Sequence, residues 1–463
     1  MASYADKCEN ITGFKGYQPA VDNLSKKTKE HVMNDFLREY HDFFQVQLAT
    51  ECVDQARESF SKLEGVVVGK PSQKPFFVDD VDLGIGGAEG KSYAIVKPGK
   101  PSGGLKIVMA HTDVPCLRVS SQPVYIEADA EKCLLCPGFY LSTEKFGGIR
   151  TGDWLGMNVN IKGKVFKNDK ELKINVPGII RQISYHVDEG DEKASDSLKV
   201  FTGIRTLKEL YKTFKVSDGM DFARSDLYAF PHIEKNGFVV GNEISGFGHD
   251  DRAGIFASLI AGEESFFSES DNTMILLGLD REEVGNRSST CSYDSMIKKV
   301  LDETTDIVFA GKPKPRGGIE SLLENSPVIS VDTDVAFGDL ELTDDLNLDF
   351  RKAPKIGWGF FLNGFDSDWD KTKTSAKQVA QFMDLIDNNL GVKNVRDRYQ
   401  VLGGFVKNDA PFGTATMADI FGNHFSTLDI GVPVLGLHHP RAETLNIFDL
   451  YWLKEAIGLH LRA

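Results

Sequence analysis

Five short stretches of this sequence hold the side chains that bind cations and move protons: Ala110-His111-Thr112-Asp113, His249-Asp250-Asp251-Arg252, Asp280-Arg281-Glu282-Glu283-Val284-Gly285, Asp332-Thr333-Asp334 and His438-His439. Histidine nitrogens and carboxylate oxygens together suit zinc, cobalt or manganese. One carboxylate of the Asp250-Asp251 pair could bridge two such ions. Two ions of this kind sit roughly 3.5–4 Å apart, where they polarise a shared water and hold a substrate carbonyl. Glu282 and Glu283 add the other half of the chemistry. If they are neighbours on a strand, they face opposite sides, so one can coordinate while the other takes a proton. Each stretch alone has a plainer explanation: a hydrogen-bonded His-x-Asp pair, a helix cap at Asp250-Asp251, a solvated Glu-Glu face. Their common setting is what argues for a site.

That setting comes from the elements before them. Short apolar runs at residues 105–109, 274–279, 327–331 and 432–437 read as buried strands, and in each case the acidic or histidine residues follow directly. In open α/β sheets the ligand crevice lies beyond the carboxyl ends of the strands, so four of the stretches converge. Asp250 precedes a helical pattern at residues 254–262, where Asp251 and Arg252 would anchor the helix start; His249 and His439 read as hydrogen-bonded neighbours of the ligands. Further helices are predicted at 28–49, 56–63, 376–390 and 449–461 from apolar residues at helical spacing. The fold class is therefore α/β, a mixed-sheet α/β/α sandwich.

Residues 115–240 have another texture: short β-like pieces at 124–128, 159–165 and 179–185, glycine turns, and an acidic loop at 188–196. They read as a β-rich domain inserted into a discontinuous one made of residues 1–114 and 241–463. Residues 311–327, with Pro313, Pro315, Gly317 and Gly318, read as an exposed loop. No repeat or heptad array is visible.

Composition narrows the partners. A formal net charge of -15 across 463 residues disfavours nucleic acid and anionic membranes, which demand a basic surface, and leaves peptides or small molecules. The apolar runs are far short of the roughly 18 residues that cross a bilayer, and residues 1–18 show no signal-peptide core, so a soluble, cytoplasmic protein is expected. Six scattered cysteines fit a reducing compartment, and the lone Cys133-Leu134-Leu135-Cys136 pair reads as structural.

In order along the chain, residues 110–119 (AHTDVPCLRV), Asp250-Asp251-Arg252, Asp280 to Gly285, Asp334-Val335-Ala336, residues 409–414 (DAPFGT) and Gly436-Leu437-His438 resemble the motifs of the M18 family of zinc aminopeptidases, which includes aspartyl aminopeptidase and aminopeptidase I types. The resemblance runs from about residue 34 to the C-terminus. It implies a dinuclear-metal aminopeptidase in which His111 and Asp334 hold one zinc, Glu283 and His438 the other, and Asp250 bridges them. Cobalt or manganese could replace zinc. It further implies Glu282 as general base, Asp113 orienting the His111 ring, His186 reaching the substrate site of a neighbouring subunit, and a β-rich insert that dimerises within a tetrahedral homododecamer. The chain departs from the family at Phe337-Gly338-Asp339-Leu340, Asn286-Arg287-Ser288-Ser289 and His439, which alters the pocket rather than the ligands. Lys355-Ile356-Gly357-Trp358-Gly359 is similar to the aminopeptidase I branch, so neutral or hydrophobic N-terminal residues are the expected substrates. An aspartyl/glutamyl-specific aminopeptidase, a carboxypeptidase or deacylase with the same metals, and a catalytically weak assembled scaffold remain as other readings.

Overall fold

The computed structural model describes residues 20–21, 24–125, 138–168, 170–182, 198–285, 288, 293–323, 328–336, 354–365, 376–391, 399–403 and 425–463. Its strands, in chain order, are β1 (Val67–Val68), β2 (Phe76–Asp79), β3 (Tyr93–Lys97), β4 (Leu105–His111), β5 (Cys116–Tyr125), β6 (Tyr140–Phe146), β7 (Asn158–Lys167), β8 (Lys170–Ile180), β9 (Lys199–Phe201), β10 (Ser225–Pro231), β11 (Phe238–Val240), β12 (Glu243–Gly246), β13 (Thr273–Leu279), β14 (Val328–Val335), β15 (Phe360–Phe365), β16 (Tyr399–Gly403), β17 (Thr427–Val434) and β18 (Glu443–Asn446). The α-helices are α1 (Lys26–His31), α2 (Leu37–Phe43), α3 (Ala49–Ser61), α4 (Leu207–Thr213), α5 (His249–Phe266), α6 (Lys298–Val308), α7 (Ala376–Asn389) and α8 (Ile447–Arg462). A π-helical turn, Val32–Phe36, joins α1 to α2.

Two compact units result. The first comprises Met1–Asp113, Gly237–Leu437 and Glu443–Ala463; the second comprises Val114–Asn236 and His438–Ala442. In the first, nine strands form one mixed sheet in the order β1-β2-β3-β13-β4-β14-β17-β15-β16. Its centre is parallel: β13 beside β4, β4 beside β14, β14 beside β17. Strands buried on both faces need apolar side chains on both, and the alternation is visible along them. Val108, Ala110, Met274 and Leu276 pack with α5 and α8, whereas Ile107, Met109, Ile275 and Leu277 pack with α6. This is the expected mixed-sheet α/β/α sandwich. Small residues let α5 lie close to the sheet: a Cβ on Gly262 would come within 2.3 Å of Leu276.

In the second unit β10-β5-β6-β9-β8-β7 close into an antiparallel barrel. The β7–β8 hairpin alternates buried and exposed residues with period two, as a barrel wall with a filled interior requires. The expected β-rich insert is thus an antiparallel β-barrel.

Several elements differ from the sequence reading. The last parallel strand is Thr427–Val434 rather than 432–437, so a turn separates it from His438. Strand β14 continues to Val335, placing Asp334 inside the strand rather than after it. Residues 318–323 of the expected loop form a 3-10 helix with Ile319 buried. Among the described residues no helix is long and apolar enough to cross a membrane.

Candidate metal centre

The parallel strands bring the polar residues to one end of the sheet. His111 closes β4 and is in register with Leu279, the last residue of β13, so Asp280 to Val284 emerge beside it. Asp332 and Asp334 lie two apart on β14 and share a face. Among the described residues, three groups have ligand atoms within 4.8 Å of one another: His111 with Glu282 and Asp332, His111 with Asp250 and Glu283, and Asp250 with Asp251 and Asp332.

His111 sits at the hub, 1% exposed. Its Nδ1 donates to the Asp113 carbonyl at 3.2 Å and lies 3.4 Å from the Asp113 carboxylate. Its Nε2 faces Asp250 Oδ1 at 2.9 Å and Asp332 Oδ1 at 3.4 Å. With Nδ1 carrying the hydrogen, a neutral ring turns a lone pair toward two carboxylates, an arrangement that is stable only with a proton or a cation between them. Burial disfavours the imidazolium, yet Asp113, Asp250 and Asp332 outweigh it and raise the His111 pKa well above its ordinary range. The donor set, one imidazole and several buried carboxylates, fits a zinc-class cation.

Glu282 and Glu283 reach this place by a turn, which corrects the strand geometry expected from sequence. Arg281 takes a left-handed conformation at φ 71°, which ends β13, and Glu282–Val284 form a 3-10 turn closed by Gly285 at φ 93°. For arginine that conformation costs about 1–2 kcal/mol. The Asp113 carboxylate holds the turn, accepting the Glu282 N–H at 3.1 Å on one oxygen and the Glu283 N–H at 3.2 Å on the other. Asp113 therefore touches both the histidine and the glutamates. Glu282 is 3% exposed and its Oε1 has no hydrogen-bond partner among the described residues. Burial first, then the negative charges of Asp332, Glu283 and Asp113, raise its pKa well above the carboxylate range, with His111 opposing.

Asp250 and Asp251, in the first turn of α5, both have non-helical backbone. The preceding His249 is fully buried between rings: its Nδ1 accepts from the Tyr40 hydroxyl at 2.6 Å, its Nε2 donates to the Ile244 carbonyl at 3.0 Å, and Phe44 stacks on it at 4.0 Å. Burial pushes its pKa down to about 3, so it stays neutral. It is the hydrogen-bonded neighbour expected from sequence. Its own N–H donates to Glu443 at 2.6 Å.

The remaining predicted residues divide. Asp334 is half-buried, its Oδ1 accepting the Val335 N–H at 2.7 Å, and it belongs to none of the three groups; Asp332 does. The period of a strand already put both on one face, and that was the signal for Asp332. His438 falls in the second unit at φ 63°, its Nδ1 3.0 Å from the Gly148 carbonyl oxygen. His186, the Cys133/Cys136 pair, the 409–414 motif and Phe337 lie outside the described residues.

The sequence profile of the family described as Aminopeptidase I zinc metalloprotease (M18) matches residues 167–457. A probable M18 family aminopeptidase 1 of Borreliella afzelii is 25% identical over 472 residues, covering 93% of this chain and 96% of its own. Among solved structures, an M18 family aminopeptidase from Thermotoga maritima has a TM-score of 0.78 at 22% identity, covering 96% of this chain and 99% of its own. The S. cerevisiae mApe1 dodecamer has a TM-score of 0.67 at 15% identity, covering 93% and 97%. The structural likenesses carry the fold and the profile carries the family. Since the profile spans more than half of the 463 residues, this chain belongs to the M18 family and is a metallo-aminopeptidase of the zinc metalloprotease type.

Proposed function

We propose that the chain removes single residues from the N-termini of peptides with two divalent cations, zinc in the first place, cobalt or manganese as substitutes. His111 and Asp334 would hold one ion, Glu283 and His438 the other, and Asp250 would bridge. The observation that carries this reading is the buried grouping of His111, Asp250 and Glu283 with Glu282 in the adjoining group. Asp334 and His438 enter from the family motifs.

When bound, such ions polarise a carbonyl and lower the pKa of water. Glu282 would take the proton of the attacking water and pass it to the departing amine. Its burial beside the ligand cluster, with Oε1 unpartnered among the described residues, favours that role, since a general base must have a carboxylate oxygen free to reach the proton. Asp113 would fix the hydrogen of His111 on Nδ1 and set the turn that aims Glu282. His186 would reach substrate from a neighbouring subunit.

Neutral or hydrophobic N-terminal residues are the proposed substrates, on the 355–359 motif and the net charge of -15, which repels acidic peptides at a distance. As with the S. cerevisiae relative, a homododecamer is the proposed assembly, with the barrel unit as a dimerisation element.

A panel of free and N-acetylated dipeptides and aminoacyl-anilides, assayed before and after chelation and with zinc, cobalt or manganese restored, tests the proposal. Metal-dependent release of only free N-terminal residues, fastest for apolar ones, is expected. Release of the C-terminal residue from acetylated dipeptides would indicate a carboxypeptidase, and release of acetate a deacylase; faster release of aspartate or glutamate would reverse the specificity; no turnover with any metal would leave the scaffold reading.

A further inference from the structure

Asp251 and Arg252 were expected to anchor the start of α5, and Asp251 does so: its Oδ1 accepts the Gly254 N–H at 2.8 Å. Gly254 is needed there, because a Cβ would lie 2.4 Å from that oxygen. The rest of the pair points elsewhere. Asp251 Oδ2 accepts the backbone N–H of His111 at 3.3 Å. Arg252, fully buried, donates from Nη1 to the Thr112 carbonyl at 2.7 Å, from Nη2 to the Gln47 carbonyl at 3.2 Å and from Nε to the Val46 carbonyl at 3.4 Å. Two consecutive residues of the helix thus grip the backbone of two consecutive residues, His111 by its N–H and Thr112 by its carbonyl, in the segment that leads to Asp113.

We propose that Asp251 and Arg252 are a positioning pair that sets the placement of His111 directly and of Glu282 and Glu283 through Asp113. The proposal rests on the metal assignment above. The linkage is continuous. The pair fixes residues 111–112; Thr112 is also tied to β13 through the Leu279 carbonyl at 2.8 Å and to the Lys91 carbonyl at 2.6 Å. Asp113 follows on the chain and accepts both glutamate N–H groups. Asp251 belongs to a group of possible ligands, but its two oxygens serve Gly254 and His111, so its part is to hold the ligand's backbone. A guanidinium is suited to the task, since its planar fork reaches three carbonyls at once and a lysine ammonium cannot reproduce that geometry. Supports of ligands typically change affinity or rate by about 10–100-fold when altered.

Arg252→Lys and Asp251→Asn test this. Zinc affinity is read by competition with a chromogenic chelator, independently of turnover, and kcat and KM are read on the best free dipeptide. For each variant that melts within a few degrees of wild type, zinc affinity and kcat are expected to fall about 10–100-fold while KM changes less than about threefold. A folded Arg252→Lys protein with wild-type zinc affinity and kcat overturns the proposal. If Arg252→Lys does not fold, Asp251→Asn decides by the same criterion; if neither folds, the pair is a folding element and the proposal fails. Wild-type protein that binds no zinc would sink the metal assignment and this inference with it, whereas active wild type with unaffected variants sinks this inference alone.

Discussion

Two buried carboxylates, Asp449 at the start of α8 and Glu282 in the turn after β13, stand in similar isolation from water and are treated oppositely by their surroundings. Asp449 is 0% exposed, and its oxygens accept the N–H groups of Gly357 and Gly359, each at 2.6 Å. Glu282 is 3% exposed, with one oxygen unpartnered among the described residues and carboxylates around it. Burial raises both pKa values well above the carboxylate range; at Asp449 two backbone donors oppose it, with Glu243 against them, while at Glu282 the charges of Asp332, Glu283 and Asp113 push it further up. The first pattern is how a protein makes a buried acid structural. The second is costly unless the group works or a cation arrives, and costly unsatisfied groups concentrate at functional sites.

The sharpest test of that contrast is Glu282→Ala. Removing an aligned general base costs about 10²–10⁴-fold in kcat. The variant should keep its metal content and melt at or above the wild-type temperature, because a poorly satisfied buried carboxylate is gone. Turnover assays beside atomic absorption and calorimetry would check this. A fully active protein that retained its metal would end the assignment of Glu282 as base.

Asp449→Ala should do the reverse. It strands two buried N–H groups at about 1–3 kcal/mol each, so a loss of roughly 2–6 kcal/mol in denaturant unfolding is expected, with zinc affinity and kcat per folded molecule unchanged. A stable Asp449→Ala protein with impaired catalysis would invert the comparison.

The contrast also explains what was legible in the sequence. The apolar runs ending in His111 and before Asp280 were readable, because a strand buried on both faces has few composition choices. The ordered motifs gave the family. Three details were not readable. The start of strand β17 at Thr427 was hidden, because Asp429 and Gly431, in register with Asn363 and Phe361 of β15, interrupt the apolar run. The Glu282–Val284 turn depends on Arg281 adopting a left-handed conformation, which residue type disfavours. The reach of Arg252 to Val46, Gln47 and Thr112 is a tertiary fact: a basic residue in the first turn of a helix advertises solvent, not three buried carbonyls. Asp449 gave no sign of its role either, because its partners are backbone groups about 90 positions away.

The smallest expected effect concerns a third buried ionisable group, one with neither generous donors nor catalytic neighbours. His460 near the end of α8 is 2% exposed, and its Nε2 has no hydrogen-bond partner among the described residues. Burial, aided by the positive charge of Lys106, pushes its pKa well below the ordinary histidine value, and Lys106 itself is pushed down by burial. The folded chain therefore keeps His460 neutral while the unfolded chain protonates it below about pH 6.5. The unfolded state binds the extra proton, so the stability tied to a neutral His460 is fully present above about pH 6.5 and is lost as pH falls toward the depressed folded value. His460→Leu removes this one titration and leaves the carboxylates in place, so the comparison cancels their contribution. Between pH 7 and 5.5 wild type should lose about 1 kcal/mol more than the variant, read from denaturant midpoints at each pH. Parallel stability curves would mean that His460 is protonated inside the fold, with a partner that offsets its charge, and that it belongs with Asp449 as a satisfied group.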